Sequence, residues 1–194
     1  MSKLEIAAVA AQMVVQEGLE YGPAKRRAAR QLGLPQRTTL PDNDELDTAV
    51  REYIAVFCAE SQPKELQELR RLALYWMERL ASFRPYLSGA VWRGTATRHS
   101  DIYIHLYCDD EKSAEMALID LGVSYRTGSL AMGHKAPVNT LSLHAHCAPL
   151  NEVVGVHLLV RDHDDLRGAL RADATGRAPL GDLDAVRRMV NEVE

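Results

Sequence analysis

The chain has 194 residues, of which 46% are hydrophobic and 26% are charged. This composition fits one globular domain, or a domain with a helical appendage, and it excludes a disordered, collagen-like or coiled-coil chain. The formal net charge of −4 excludes a chain that is basic as a whole, which is the usual property of a nucleic-acid binder.

Cysteine usage and hydropathy indicate the compartment. The three cysteines cannot all pair with one another, and an odd, sparse count is typical of a reducing compartment. The longest apolar stretch near the start, Ile6 to Val15, is too short to span a bilayer. Glu5 also interrupts the basic flank that a signal peptide would need. We therefore expect a cytoplasmic protein that does not associate with a membrane.

Residues 1–84 are predicted to form a helical N-terminal region. A first helix is expected from Ser2 to about Gly18, and a second over Pro23 to Leu32, where proline suits the first turn. A third helix opens at the acidic cluster that begins with Asp42, because carboxylates favour the positive end of the helix dipole. After Pro63, apolar residues recur at alternating three- and four-residue steps, which predicts a fourth helix with a buried stripe.

Residues 85–194 are predicted to combine strands and helices around one sheet. A short apolar run is expected at Tyr86 to Val91, followed by a strand at Ile102 to Leu106 and a helix from Asp109 or Asp110 to Leu121. Two further strands are expected at Thr140 to His146 and Val153 to Val160, and a terminal helix at Leu183 to Val193. The polar stretch that ends at Gly181 is expected to be partly irregular. This order predicts an α/β (α+β) fold with a mixed sheet flanked by helices.

The most informative motif joins the first two predicted strands of this second region. It reads Gly89-Ala90-Val91-Trp92-Arg93-Gly94, then five residues, then Ser100-Asp101 at the start of the next strand. Glycines let backbone N–H groups approach phosphate oxygens closely. An aspartate at the start of the adjacent strand can hold a divalent metal that bridges those phosphates.

The motif resembles the signature of the polymerase-β-like nucleotidyltransferase superfamily, especially its minimal, antitoxin-like members. Gly89 matches the first glycine of the family pattern, Gly94 the second, and Ser100-Asp101 the start of the acidic strand. The resemblance covers about residues 86–108. It implies a small mixed sheet flanked by helices, and transfer of a nucleoside monophosphate from a nucleoside triphosphate to an acceptor. It also implies two Mg²⁺ ions held by three carboxylates, two on the strand after the turn and one on a later strand.

This sequence departs from the family pattern at the acidic positions. The family serine after the first glycine is Ala90, and the second carboxylate of the strand is Tyr103. A tyrosine is neutral at pH 7 and does not replace an anionic ligand for Mg²⁺. The third carboxylate is expected within Val153 to Val160, where the inward position is His157. Asp101 is therefore the one carboxylate that matches.

The resemblance and its departures together predict a degenerate nucleotidyltransferase, impaired in catalysis, that binds a nucleotide or another phosphate-bearing small molecule. The residues expected to contact the phosphate are Gly89, Ala90, Arg93, Gly94 and Ser100. The alternative is an active, Mg²⁺-dependent transferase with Asp101 as the catalytic metal ligand and His157 beside it in the metal site. A separate interpretation of the histidines is that one has replaced a carboxylate of this site, so that His157 and Asp101 face one another across the cleft, which is compatible with anion binding or with a different metal.

Two other patterns favour different functions. Lys25, Arg26, Arg27 and Arg30 form a basic run on the second helix that suggests a helix-turn-helix-like regulator bound to nucleic acid, although the acidic start of the third helix would repel phosphates. The other interpretation of this run is a solvated helix face that pairs with nearby acids. For the protein as a whole, a protein-interaction module is a further alternative, with a protein partner or a second copy of the chain.

Histidines and cysteines of the later strands give a third pattern. His144 and His146 share one face of a strand, and with His157, Cys147 and either His105 or Cys108 they would form a zinc or nickel site. The alternative is that these histidines are hydrogen-bonded strand residues at the rim of a cleft.

Overall fold

The structure is a computed structural model that describes residues 3–132, 135–172, 176 and 178–192. Within it, the chain separates into two units. The first unit comprises Met1–Leu66 and Gly94–Ser100, and the second comprises Gln67–Arg93 and Asp101–Glu194. The sequence analysis placed the whole fourth helix before its boundary at residues 84 and 85. In the structure, most of that helix belongs to the second unit.

The first unit is helical, as predicted. It contains α1 (Lys3–Glu17), α2 (Tyr21–Gln31), α3 (Asn43–Phe57) and the first turn of α4 (Gln62–Arg79). Apolar residues of the first three helices form one buried cluster, which includes Ile6, Ala10, Val14, Leu46 and Val50. The predicted helix start at Ser2, like the predicted helix end at Val193, lies outside the described residues.

Local signals in the sequence account for two helix boundaries in this unit. Asp42 caps α3, because its side chain accepts a hydrogen bond from the Glu45 backbone N–H and the Glu45 side chain accepts one from the Asp42 N–H. Gly18 follows α1 with φ +69°, a conformation that favours glycine. A Cβ at Gly18 would lie 2.0 Å from the carbonyl oxygen of His99, so a larger residue would not fit.

The second unit is built on a mixed sheet, which confirms the predicted α/β class. The five strands lie in the order β1-β2-β5-β4-β3, with bounds β1 (Tyr86–Ser88), β2 (Ile102–Tyr107), β3 (Arg126–Met132), β4 (Lys135–Cys147) and β5 (Glu152–Arg161). Strands β2 and β5 are parallel, and the other neighbours are antiparallel. The helices are α5 (Gly89–Arg93), α6 (Glu111–Asp120), α7 (Leu166–Ala169) and α8 (Leu183–Asn191).

The two faces of the sheet differ in chemistry. One face is apolar and buried, and its residues include Leu87, Ile104, Leu106, Val156, Leu158 and Leu143. Helix α6 contacts β5 and α8 contacts β1, and both helices bury apolar side chains. The other face carries hydroxyl, imidazole and guanidinium groups at the alternate positions of the same strands.

Two elements differ from the sequence prediction. The segment expected to be a glycine-rich turn forms α5, whose carbonyls at Val91 and Trp92 accept hydrogen bonds from the Arg70 guanidinium. Strand β3 was not predicted, because residues 126–131 are exposed and show no apolar alternation. It is an edge strand held by pairing with β4, so burial left no pattern in its sequence.

In the described part of the stretch before Gly181, residues 170–172 and 178–180 are irregular, as expected, but Gly181 itself is fixed. Its backbone N–H and C=O pair with the C=O and N–H of Leu87. A Cβ at Gly181 would lie 2.1 Å from the Trp92 ring, so Trp92 packs against this backbone. The Trp92 indole N–H also donates to the carbonyl oxygen of Ala178 at 2.8 Å. Among the described residues, no helix is both long and apolar enough to cross a membrane.

Candidate functional site

Pairing of the strands brings five side chains into one row on the polar face of the sheet. Ser88 pairs with Tyr103, Tyr103 with His157, His157 with Ser142, and Ser142 with Arg126. Directly paired residues on neighbouring strands project to the same side of the sheet. The row therefore runs across all five strands of the second unit.

A chain of hydrogen bonds lies at the centre of this row. Asp101, which immediately precedes β2, places its Oδ2 atom 2.8 Å from Nε2 of His157. The other imidazole nitrogen of His157, Nδ1, lies 2.8 Å from Oγ of Ser142. In its ionised form a carboxylate can only accept hydrogen bonds, so Nε2 carries the proton. In the neutral imidazole, Nδ1 then accepts the hydroxyl proton of Ser142.

Gly155 supports the Asp101 carboxylate from β5. Its backbone N–H donates to Oδ1 of Asp101 at 3.2 Å. A Cβ at this position would lie 2.8 Å from the carboxylate atoms of Asp101, which is closer than van der Waals contact allows. Glycine is therefore required for the carboxylate to reach both the Gly155 amide and His157.

Tyr103 covers the other side of the His157 imidazole. The two rings stack with their centroids 4.9 Å apart and an interplanar angle of 28°. Together with the hydrogen bonds to both ring nitrogens, this contact fixes the orientation of the imidazole. Tyr103 thus has a packing role in this site.

The structure places the predicted phosphate contacts of the second unit around α5. Gly89 begins the helix with φ +71°, and its open side faces the Tyr103 ring, from which a Cβ would lie 3.5 Å. Ala90 is buried, and Arg93 ends the helix with an exposed side chain. Of these three residues, Arg93 has a side chain that can reach a ligand.

Gly94 and Ser100 belong to the first unit. The carbonyl oxygen of Gly94 accepts a hydrogen bond from the Gln62 side chain at 3.2 Å. The Ser100 hydroxyl oxygen accepts one from the backbone N–H of Thr97 at 3.0 Å, and Ser100 is buried. The hydroxyl of Ser100 therefore closes a local turn.

In the structure, the ligand atoms of the predicted metal sites are either hydrogen-bonded or lie on opposite faces of the sheet. Both oxygens of Asp101 already accept hydrogen bonds, and both nitrogens of His157 are engaged. His144 and His146 are exposed on the polar face of β4, whereas Cys147 is buried on the opposite face. Within the described part of the chain, no group of three histidine, cysteine or carboxylate residues could hold a metal ion.

A second polar cluster, centred on the buried His105, lies beside the row. Nε2 of His105 lies 3.1 Å from Oγ of Ser88, and Nδ1 of His105 accepts from Nε of Arg161 at 3.4 Å. Burial, reinforced by the nearby Arg161 charge, lowers the pKa of His105 to about 4. His105 is thus a neutral, hydrogen-bonded strand residue, which agrees with the non-metal interpretation of the strand histidines.

The basic run of α2 is partly neutralised within the first unit. Arg27 forms an ion pair with Glu17. The Lys25 amino group donates to the side-chain oxygen of Asn43 at 2.8 Å, and partial burial lowers the pKa of Lys25. These contacts are those of a solvated helix face with nearby acceptors.

Ser142 and Gly155 are the site residues that sequence reasoning missed. A usable signal was present for Ser142, because it shares the two-residue period of His144 and His146 on the predicted strand. Gly155 lies in an otherwise apolar strand, where an isolated glycine indicates a close approach of another group. Neither a family model nor a curated protein sequence matches this chain.

The buried His105 predicts a specific loss of stability in acid. Its pKa of about 4 lies below the ordinary value of 6.5, so the folded state resists protonation and the stabilisation is complete above pH 6.5. It is lost as the pH falls towards 4, by about 2 kcal/mol between pH 7 and pH 5. Urea unfolding of the wild type and His105→Gln at both pH values measures this. The variant should lose less stability on acidification, and the exposed His99→Gln control should behave as wild type.

Gly155→Ala is expected to lower the free energy of unfolding by about 1–3 kcal/mol, because the new methyl group displaces the Asp101 carboxylate. In an Asp101→Ala background this cost should shrink, since the displaced group is absent. Gly168→Ala is the control, because no atom lies within 4 Å of its added Cβ. Equal costs of Gly155→Ala in both backgrounds, measured by urea unfolding, would show that the carboxylate does not make this contact.

Proposed function

We propose that this chain is a nucleotidyltransferase-superfamily protein with a degraded acidic centre, which binds a nucleotide or another phosphate-bearing small molecule without a divalent metal. The observation that carries the proposal is the 2.8 Å hydrogen bond between Asp101 and His157. The resemblance implies metal-binding carboxylates at the start of β2 and on a later strand. Here the later-strand position carries an imidazole that is bound to the remaining carboxylate.

The strand arrangement supports this proposal. β1 and β2 are antiparallel neighbours, and the segment that resembles the family signature connects them. β5 lies beside β2 in parallel register, with His157 directly opposite Tyr103. The three positions at which the resemblance implies carboxylates, Asp101, Tyr103 and His157, are therefore neighbours in one site.

Charge explains why this site favours metal-free binding. Two-metal transfer needs anionic oxygens that hold both ions against the triphosphate and the attacking group. Asp101 supplies one carboxylate, which is already bonded to His157 and to the Gly155 amide. Tyr103 is a phenol and His157 an imidazole that can gain a positive charge. With less negative charge to neutralise, a phosphate group can approach without a bridging cation.

We also propose that the protein works in the cytoplasm. Cys58, Cys108 and Cys147 are all free thiols in the structure. Burial raises the pKa of each of them, which keeps them protonated and poorly reactive. Unpaired cysteines of this kind support a reducing compartment.

Nucleotide titration distinguishes metal-free binding from the metal-dependent transferase. We expect ATP, GTP, CTP or UTP to bind, by calorimetry, with a dissociation constant that changes less than about threefold between Mg²⁺, Mn²⁺ and EDTA. Arg93→Glu should weaken binding by about tenfold or more through loss of an attractive charge, while Arg188→Glu on α8 serves as the charge-matched control.

Metal-free binding and metal-dependent transfer predict opposite effects of Asp101→Asn on nucleotide binding. Under the proposal it leaves binding unchanged or tightens it, because a negative charge near the phosphate is removed. Under metal-dependent transfer it abolishes metal-supported binding, because the remaining anionic ligand is lost. Binding that requires Mn²⁺ and disappears in Asp101→Asn would contradict the proposal.

A further inference from the structure

The hydrogen-bonded chain Asp101–His157–Ser142 has the order of groups that activates a serine hydroxyl. The carboxylate contacts one imidazole nitrogen at 2.8 Å, and the hydroxyl contacts the other at the same distance. The geometric test for a nucleophile and its base is a hydrogen bond of about 2.6–3.2 Å, with the base oriented by a third group. Ser142, His157 and Asp101 meet both parts of this test.

The hydrogen bonds of His157 leave the nitrogen that faces Ser142 free to take a proton. Because the Asp101 carboxylate accepts the Nε2–H of His157, the free lone pair of the neutral imidazole is on Nδ1, which faces the Ser142 hydroxyl. The serine-protease triad has the same order of groups with the two ring nitrogens exchanged, so the base can still take the hydroxyl proton while the carboxylate stabilises the resulting imidazolium. Stacking on Tyr103 keeps the ring in this orientation.

The sheet face around Ser142 leaves room for a substrate. Its neighbours His144, on the same strand, and Arg126, on β3, are both exposed. On β3 the diagonal neighbour Gly128 presents no side chain, whereas on β5 the diagonal neighbour Leu159 is buried and the Asp101 carboxylate fills the space beside Gly155. Ser142 itself is partly accessible. A small planar group can therefore approach the hydroxyl from the open side of the sheet.

Positive charge is available where negative charge would develop. Arg126 pairs directly with Ser142, so their Cβ atoms are about 4.5–5.5 Å apart. An arginine beside the reacting centre can stabilise the oxyanion of a tetrahedral intermediate, as a preorganised donor does. His144, two residues along β4 on the same face, is a second donor.

From these contacts we propose that Ser142 is a nucleophile for the hydrolysis of small carboxylic esters, with His157 as its general base and Asp101 as the residue that positions the imidazole. Oγ of Ser142 forms a bond to the carbonyl carbon while its proton passes to Nδ1 of His157. The ester C–O bond then breaks, and the leaving alcohol oxygen takes that proton. Water releases the acid from the acyl-serine by the same proton route, and the hydroxyl is restored.

This activity goes beyond the proposed phosphate binding. The two are measured separately, nucleotide binding by calorimetry and serine reactivity by labelling. Loss of nucleotide binding in the wild type would count against the proposed function alone. Loss of serine reactivity would count against the esterase activity alone.

A fluorophosphonate probe, which modifies activated serines, tests the nucleophile directly. We expect the full-length protein to be labelled at Ser142, as located by mass spectrometry, and to release p-nitrophenol from p-nitrophenyl acetate with an initial burst of about one equivalent. Ser142→Ala should abolish both, and His157→Gln should slow labelling by about 100-fold or more. Ser129→Ala, an exposed strand serine on the other face, is the matched control and should label as the wild type does.

The positioning role of Asp101 is tested by the rate of serine labelling in variants that remain folded, because a purely structural role would leave this rate unchanged. Asp101→Asn should slow labelling by about 10-fold or more, because it removes the charge that stabilises the imidazolium, and Asp101→Glu should restore part of the rate. Thermal melting verifies that each variant is folded. If the His157 variants unfold, Ser142→Cys provides an alternative test of activation by His157. A thiol activated by His157 should react with iodoacetamide at pH 6 faster than Cys58 does.

Three results would overturn the proposal. The first is an unlabelled, folded wild type. The second is labelling that persists in Ser142→Ala, which would place the reactive group elsewhere. The third is a Ser142→Cys thiol no more reactive than Cys58, which would show that His157 does not activate this position.

Discussion

The hydrogen bond between Asp101 and His157 decides what the polar face of the sheet can do. It joins the entry of β2 to the middle of β5 and engages the carboxylate that the resemblance assigns to a metal. A second bond, from the Gly155 amide, occupies the other carboxylate oxygen. With both carboxylate oxygens engaged, the site is organised around the His157 imidazole. This constraint connects the metal-free phosphate proposal with the activation of Ser142.

The sheet separates stability from chemistry by its two faces. Leu87, Ile104 and Leu158 lie on the buried face with the apolar residues that stabilise the second unit. The opposite face carries the hydrogen-bonded row, and part of it is buried as well, around His105 and Arg161. The buried His105 is hydrogen-bonded there, as its desolvation requires, whereas the buried hydroxyl of Tyr107 has no hydrogen-bond partner among the described residues. At the other end of the row, Arg126 is exposed and His157 and Ser142 are partly accessible, so this end is open for chemistry.

Much of the fold could be predicted from the sequence, because burial leaves periodic patterns. The helices of the first region and the strands β2 and β5 follow their apolar periods closely. β3 could not be predicted in this way, since an exposed edge strand carries no such pattern. Helix α5 was missed because five residues are too few to show a helical period, and part of its support comes from Arg70, a distant residue.

The candidate site could be predicted only in part. The motif identified Asp101, and the strand alternation placed His157 as its partner across the cleft; the structure brings the two into contact. Ser142 and Gly155 depend on the register between β4 and β5, which no local pattern specifies. Tertiary packing also decides that Gly94 and Ser100 belong to the first unit and that the Ser100 hydroxyl is used in a local turn.

Nitrogen NMR of the His157 imidazole tests the central claim most directly. The account predicts that the neutral ring carries its proton on Nε2, that Asp101→Asn moves the proton to Nδ1, and that micromolar Mn²⁺ leaves the ring signals sharp. A ring protonated on Nδ1 in the wild type, or signals broadened by Mn²⁺ at that concentration, would contradict it, because His157 would then be free of Asp101 or part of a metal site.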